Sequence, residues 1–272
     1  MNMIKIVLKS IIPPIILMFW RKVKNISEQE FKGPYSDFNQ IEEERVWESE
    51  EWINLSLEKL DKLENEKESG RDYTDIISIF LNTLLLTNTR FRILDWGGGT
   101  GFIWFKIFKT ITSNYNIEWN IVDNYNLAEI GKKYSKKYQI PVNFFSSLKD
   151  FNNRNYDILY INTSLQYVND INSLFSSLLV NNPKFIILTR LLRSNQDSFI
   201  FKQSVHGKKI PCIFHSEEEI LKLLFNKDYQ VIYNKPNWEE CHQIQSYLPA
   251  KIINKIGNHF VKDIILYKKE CS

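Results

Sequence analysis

The run Arg92-Ile93-Leu94-Asp95-Trp96-Gly97-Gly98-Gly99-Thr100-Gly101 constrains this chain more than any other segment. A short apolar stretch ends in an acid, runs straight into glycines, and is followed from Phe102 by residues at helical spacing. Glycines permit a tight turn and let a ligand approach the main chain, while the start of the next helix presents free N–H groups. The expected role is ligand binding; the alternative is a glycine turn that only links strand to helix. Two familiar phosphate-binding patterns fail. Counting G-x-G-x-x-G from Gly97 puts Phe102 at the third glycine, and counting from Gly98 puts Thr100 at the second. No Gly-Lys-Ser/Thr triplet completes a P-loop either.

Around this turn, short apolar runs alternate with helical segments. The expected strands are Phe91 to Trp96, Ile117 to Val122, Val142 to Phe145, Tyr156 to Ile161, Phe185 to Leu188, Gln230 to Tyr233 and Asp263 to Tyr267. Helices are expected at Phe102 to Ile111, Leu127 to Tyr138, Ile171 to Leu179 and Glu217 to Phe225. This alternation predicts an α/β fold: a seven-stranded, mostly parallel sheet with helices on both faces. The last strand follows no clear crossover helix, which suits either an antiparallel closing strand or a short helix within Ala250 to Phe260. Before the sheet, Ile41 to Leu63 and Ile76 to Leu86 have helical periodicity. The expected organisation is therefore an N-terminal helical extension over 1–88 and a Rossmann-like domain over 89–272.

Composition sets wider bounds. The 272 residues, 43% apolar and 14% aromatic, are enough for one packed core. A formal charge of +3 gives no reason to expect a nucleic-acid partner. Cys212, Cys241 and Cys271 form no C-x-x-C pair and suit a reducing, cytoplasmic compartment. Cys212 and His215, with His206 and Cys241-His242, lack the two compact ligand pairs of a structural zinc site, so no metal is expected.

In the N-terminal segment, Lys5 and Lys9 interrupt the apolar residues and Pro13-Pro14 splits them, which disfavours a spanning helix or a signal peptide. Lysines and Arg21 around Ile11, Ile12, Leu17, Phe19 and Trp20 suit peripheral contact with an anionic membrane through residues 4–24. The alternative is a helix packed on the domain or on a second copy. The oligomeric state is left open.

The spacing Asp95, Gly97, Gly99, Gly101 reads D-x-G-x-G-x-G and resembles the first motif of class I S-adenosylmethionine-dependent methyltransferases. The second strand ends in Asp123, where a carboxylate can accept hydrogen bonds from both ribose hydroxyls; the alternative is an acid capping the next helix. After the third strand, Ser146 and Ser147 fall where these enzymes contact adenine, although many have an acid there. Asn162 and Gln166 lie in the stretch resembling the loop that closes over the methionine end of the cofactor, though loop polarity accounts for them equally well. The resemblance implies S-adenosylmethionine as cofactor, with Asp95, Gly97, Gly99, Gly101, Asp123, Ser146, Asn162 and Gln166 as its contacts.

A finer resemblance covers most of the chain. Pro13-Pro14, Phe31-Lys32-Gly33-Pro34-Tyr35-Ser36-Asp37, the Asp95-Trp96-Gly97-Gly98-Gly99 turn and Ile210-Pro211 before Phe214 occur in the order of a methyltransferase family from bacterial lipopolysaccharide and surface-polysaccharide biosynthesis clusters. It implies a sugar or sugar-linked acceptor and work near the inner membrane.

Three further residues are candidates. His206, beside Gly207 in an expected polar loop, is the candidate base for a hydroxyl acceptor, or else an ordinary loop histidine. Arg190 is placed to bind an acidic acceptor, or else forms a surface ion pair. Tyr35, beside the hinge at Gly33, is expected to reach into the site from a lid over Phe31 to Phe38. The competing readings are a non-catalytic module on the same fold, which would bind a ligand or a protein, and an aminopropyl transferase or nucleotide-sugar enzyme. Against the last, Tyr247 and Lys251 have Tyr-x-x-x-Lys spacing, but Pro249 lies between them. Asn162-Thr163-Ser164-Leu165 does not match the Asn/Asp-Pro-Pro-Tyr pattern of base-amine methyltransferases.

Overall fold

The structure, a computed structural model, describes residues 31–64, 75–87, 90–108, 111, 117–151, 154–248 and 250–269. The expected membrane-contact segment, residues 4–24, lies outside the described residues. Strand β1 (Phe31–Tyr35) comes first, followed by helices α1 (Glu50–Glu64) and α2 (Asp75–Leu85). Then come β2 (Phe91–Trp96), α3 (Phe102–Phe108), β3 (Ile117–Val122), α4 (Tyr125–Tyr138), β4 (Asn143–Phe145), β5 (Ile158–Asn162), α5 (Ile171–Leu178) and β6 (Phe185–Ser194). The chain continues through β7 (Phe199–Val205), β8 (Lys208–Ser216), α6 (Glu217–Phe225), β9 (Tyr229–Pro236), α7 (Trp238–Gln245), α8 (Ala250–Ile256) and β10 (Val261–Lys268).

Seven of these strands form the central sheet in the order β4-β3-β2-β5-β6-β10-β9. The first five pair in parallel, and β10 inserts antiparallel between β6 and β9. All seven expected strands are present. Both readings of the C-terminus hold, because helix α8 precedes an antiparallel β10.

The described strands number ten rather than seven because β6 runs on to Ser194 and there pairs with β8. Strands β8, β7 and β1 form an antiparallel annex. Before His206 the strand β7 alternates, with Phe201, Gln203 and Val205 buried, whereas after it β8 is buried at every position from Ile210 to Ser216. The expected polar loop is therefore the tip of a hairpin, with His206 (φ 50°) and Gly207 (φ 78°) in the left-handed region that such a turn requires. Phe31–Tyr35, expected as a lid, is an edge strand paired with β7, so the N-terminal extension is not wholly helical.

Strand alternation divides the core in two. Ile93, Ile158, Tyr160, Ile187 and Ile265 point to one face, where they meet Leu60, Leu63, Ile77, Leu81, Leu85, Trp104 and Trp119. Leu94, Leu159, Ile161, Ile186, Leu188, Ile264 and Leu266 point to the other, covered by Phe175, Leu178, Ile220 and Leu224 of α5 and α6. Both faces are dry, so these strands read as unbroken apolar runs. Helices α1 and α2 of the expected extension share the first core with the sheet.

Helix α1 begins at Glu50, later than the sequence periodicity implies. The Glu44 backbone N–H donates to the Lys209 carbonyl at 3.0 Å, and Val46 is buried against Val205 and Ile210 of the hairpin. The Ser49 hydroxyl then accepts from Trp52 N at 3.3 Å, serving as a helix cap.

Phe175 is fully buried between α5 and the sheet, while Val180 just beyond it is 72% exposed. Phe175→Ala is expected to lower the unfolding free energy by about 3–5 kcal/mol, and Val180→Ala by less than about 0.5 kcal/mol, in chemical denaturation.

Candidate functional site

The parallel register of β2 on β3 places Trp96 beside Val122, so the glycine turn leaves the sheet next to Asp123. Gly97 N donates to the Val122 carbonyl at 2.8 Å, and Gly99 N donates to Asp123 Oδ2 at 2.7 Å. The other Asp123 oxygen accepts from Asn124 N at 2.6 Å and from Asn124 Nδ2 at 3.0 Å. Helix α4 is capped by Asn124, whose side chain accepts from Leu127 N at 3.1 Å. The Asp123 carboxylate is therefore not the helix cap; it spans from the end of β3 to the turn. Burial pushes its pKa up, and the three N–H donors pull it back down.

Asp95 lies beneath the turn, 1% exposed. Its Oδ2 accepts from Trp119 Nε1 at 3.0 Å, and that indole is stacked on Trp104 at a ring separation of 4.7 Å. Asp95 Oδ1 is buried without a hydrogen-bond partner. Burial, reinforced by the Asp123 charge and opposed by the indole N–H, pushes the Asp95 pKa up to about 7.

The glycines are not equivalent. Gly97 (φ 73°) backs onto Ser164, whose hydroxyl occupies the space a side chain would need and donates to Gly97 O at 3.1 Å. At Gly99 (φ 60°) an added Cβ would meet nothing within 4 Å, so the turn opens onto free space at this residue. That opening lies beside the Asp123 carboxylate, which Gly99 N contacts.

The loop after β5 lies against this turn and is fixed at several points. Ser164 ties it to Gly97, and Asn162 Oδ1 accepts from Thr189 Oγ1 at 3.0 Å. The Leu165 carbonyl lies 3.0 Å from Nε2 of the buried His215, so that nitrogen carries the proton, and burial lowers the His215 pKa. Gln166 is buried, with its Oε1 unbonded. Tyr167 donates to Gln203 Oε1 at 3.1 Å and packs on Trp47, which packs in turn on Trp52, each pair 4.8 Å between ring centres.

The structure thus brings together Asp95, Gly97, Gly99, Gly101 and Asp123, with Asn162 joined through the loop after β5. Ser146 follows β4, which pairs with β3 next to Asp123, and donates to Asp150 at 2.5 Å. That bond sets an exposed acid, Asp150, against Ser146. Arg190 sits within β6 with φ 54°; its N–H donates to Asp263 at 2.7 Å and its guanidinium pairs with Glu240 at 3.2 Å. His206 is exposed at the hairpin tip, its ring 6.2 Å from Trp52. Tyr35 lies on the annex edge, with Lys202 Nζ 5.9 Å from its ring centre. The structure does not bring Tyr35 to the glycine turn by any hydrogen bond or ring contact among the described residues.

Sequence reasoning missed Trp119, Ser164 and the Trp47–Trp52–Tyr167 cluster. Of the elements around them, only β7 left a signal, in its alternation before His206-Gly207. Among the described residues, no group of three or more His, Cys, Asp or Glu side chains could hold a metal ion. Cys212 and Cys241 are buried free thiols.

No protein-family model matches this sequence, and no curated protein matches it. Solved structures do. A Burkholderia thailandensis 1,6-didemethyltoxoflavin-N1-methyltransferase, with 1,6-didemethyltoxoflavin and S-adenosylhomocysteine bound, superposes with a TM-score of 0.51 at 10% identity, over 88% of this chain and 93% of its own. An S-adenosylmethionine-dependent methyltransferase from Clostridium acetobutylicum gives 0.51 at 15% identity, over 80% and 99%. A Synechocystis magnesium protoporphyrin IX methyltransferase with bound S-adenosylmethionine gives 0.50 at 9% identity, over 80% and 93%. The chain has the Rossmann-like methyltransferase fold.

The two glycines separate cleanly by substitution. Gly99→Ala is expected to cost about 1–2 kcal/mol of stability, the left-handed backbone penalty alone. Gly97→Ala adds a collision with Ser164 and is expected to cost more, as read from paired denaturation curves.

Proposed function

We propose that this chain is an S-adenosylmethionine-dependent methyltransferase. The observation that carries the reading is the Gly99–Asp123 pair: an open glycine turn and a carboxylate, joined at the carboxyl ends of adjacent parallel strands. Ligands on open α/β sheets bind at such strand ends. The residues fit the cofactor. A carboxylate offers about four lone-pair positions, and Asp123 uses three, so ribose hydroxyls can be taken by exchange with the Gly99 and Asn124 donors. Ser146, backed by Asp150, stands at the adenine side; Asn162 and Gln166 stand at the methionine side.

S-adenosylmethionine supplies a methyl group on a positively charged sulfur that is already a good leaving group. What remains for the protein is alignment, exclusion of water and, for a hydroxyl acceptor, removal of a proton. The loop fixed by Ser164, Thr189 and His215 provides a rigid wall for the acceptor. His206 is the proposed base, brought by the hairpin to the Trp52 side of that wall. Arg190, held by Glu240, is proposed to contact an acidic acceptor.

For the acceptor itself we propose a sugar or sugar-linked intermediate. Support comes from the order of short segments, which resembles that of surface-polysaccharide methyltransferases, and from the chemistry of the wall. Gln166 Oε1 and Trp52 Nε1 are both buried and unbonded, one accepting and one donating, beside the aromatic rings of Trp47 and Tyr167. Hydroxyl groups satisfy both. Peripheral contact with the inner membrane through residues 4–24 belongs to the same reading; among the described residues no helix is long and apolar enough to cross a membrane.

Calorimetric titration with S-adenosylhomocysteine tests the core of the proposal. Saturable binding at one site is expected, with NAD inert. Asp123→Ala is expected to weaken binding by roughly 10- to 100-fold, the value of a hydrogen bond to a charged group. Gly99→Ala is expected to fold yet lose affinity, because its Cβ enters the space the ligand needs. An intact, folded protein that binds no S-adenosylhomocysteine would sink the reading.

A further inference from the structure

Asp95 has an uncommon environment for a carboxyl group at the base of a binding turn. One oxygen has a single neutral donor, the Trp119 indole, and the other has no hydrogen-bond partner. The turn closes over it so tightly that a Cβ on Gly98 would lie 2.5 Å from Asp95 Oδ2. From the end of β3 Asp95 faces Asp123, a second carboxylate. From β5 it faces the buried phenol of Tyr160, its register partner, whose own pKa is pushed up by burial. Beyond that phenol lie Arg190 and Asp263, held together by the Arg190 N–H bond to the Asp263 carboxylate. Among the described residues no cationic side chain bonds to Asp95 or forms an ion pair with it.

Two carboxyl groups on adjacent strand ends, one of them dry and almost unbonded, do not both ionise readily without a cation nearby. Such a cation is what the proposed cofactor brings. S-adenosylmethionine carries a sulfonium and an ammonium charge, and S-adenosylhomocysteine only the ammonium. We propose that Asp95 is the charge-sensing residue of the site: it releases its proton to solvent as the cationic cofactor binds, and so favours the sulfonium cofactor over its neutral thioether product. This rests on the methyltransferase reading above.

The direction of the pH dependence follows. Burial places the free-protein pKa of Asp95 at about 7. A positive charge within ~4–6 Å lowers a carboxyl pKa by about 1–3. Between the bound and free values, binding must expel a proton, so affinity rises with pH. Above the free value Asp95 is already ionised and the dependence flattens. Because S-adenosylmethionine has the extra charge, its affinity rises more steeply than that of the product. In the limit where only the sulfonium shifts Asp95, the ratio of the two affinities grows about tenfold per pH unit between the bound and free values and levels off above about 7.

The experiment is calorimetry of both ligands at pH 6, 7 and 8, in phosphate and in Tris, whose different ionisation enthalpies report the protons released. At pH 6 to 7 the wild-type protein is expected to release roughly 0.5–1 more proton on binding S-adenosylmethionine than Asp95→Asn does. Its preference for S-adenosylmethionine over the product should rise with pH, and in the variant it should not. Equal proton counts in the two proteins, or a preference indifferent to pH, overturn the proposal. Should Asp95→Asn not fold, the carboxyl carbon resonance of Asp95 in ¹³C-labelled wild-type protein serves instead. It is expected to titrate near neutrality without ligand and at lower pH with S-adenosylmethionine; a group already ionised at pH 5 in the free protein overturns the proposal. Binding without proton release defeats this inference alone, whereas failure of both ligands to bind defeats the methyltransferase reading as well.

Discussion

The register between β2 and β3, running from Phe91 beside Ile117 to Trp96 beside Val122, sets the geometry of the site because side chains alternate across a strand. With that register, Asp95 and Trp119 share one face and can bond, and Asp123 arrives level with Gly99. A slip of one residue would turn Asp95 to the opposite core, against Leu94's neighbours, and carry Asp123 away from the turn. The register is held by burial rather than by the polar contacts. Ile93, Trp119 and Ile121 fill one core while Leu94 and Val122 fill the other, so a slipped strand would exchange the residues of both cores at once. The site inherits its precision from packing in which it takes little part.

The annex extends this logic to the loop after β5. Strand β6 is long enough to leave the central sheet and recruit β8, and the hairpin it starts brings His215 to Leu165 and Gln203 to Tyr167. The loop after β5 is therefore clamped from two directions, by Ser164 on the cofactor side and by the hairpin on the other. Burial keeps His215 neutral, so the clamp adds no charge beside the site. A loop that is rigid before substrate arrives has less entropy to lose when alignment is required. The segment from Glu44 to Trp52 completes the wall by bonding to Lys209 and packing Val46 and Trp47 against the hairpin and the loop.

How much of this was legible follows from the range of each signal. The central strands are apolar on both faces, so Ile93-Leu94 and Leu159-Tyr160-Ile161 announce themselves without tertiary information. Asp95, the glycines and Asp123 sit at strand ends, where a change from apolar residues to acid or glycine marks the position. Trp119 was hidden, because an aromatic in the middle of a strand reads as core, and it is core; only the fold shows its N–H turned toward a carboxyl group. Ser164 was hidden for the opposite reason, as one polar residue in a polar loop, and its meaning comes from the missing side chain at Gly97, 67 residues earlier. The hairpin was hidden because His206-Gly207 looks polar locally and only β7, on one side of it, alternates.

Two treatments of buried charge in this molecule make the contrast that gives Asp95 its significance. Glu217 at the start of α6 is met by Arg193 from β6 at 3.2 Å, Lys262 from β10 at 2.8 Å and Asn234 from β9 at 2.9 Å. There the fold surrounds a carboxylate with cations and a donor, and the ionised form is kept. At Asp95 the same fold offers one indole and a second acid. An amide side chain could accept from the Trp119 indole without placing a charge there. A group left dry and uncompensated beside an open turn is the pattern expected where a ligand, rather than the protein, supplies the missing charge. Glu217 has its cations without a ligand, and it lies at the start of α6. The two carboxylates therefore divide the roles: one fastens α6 to the strands β6, β9 and β10, and the other is poised to answer a bound cation.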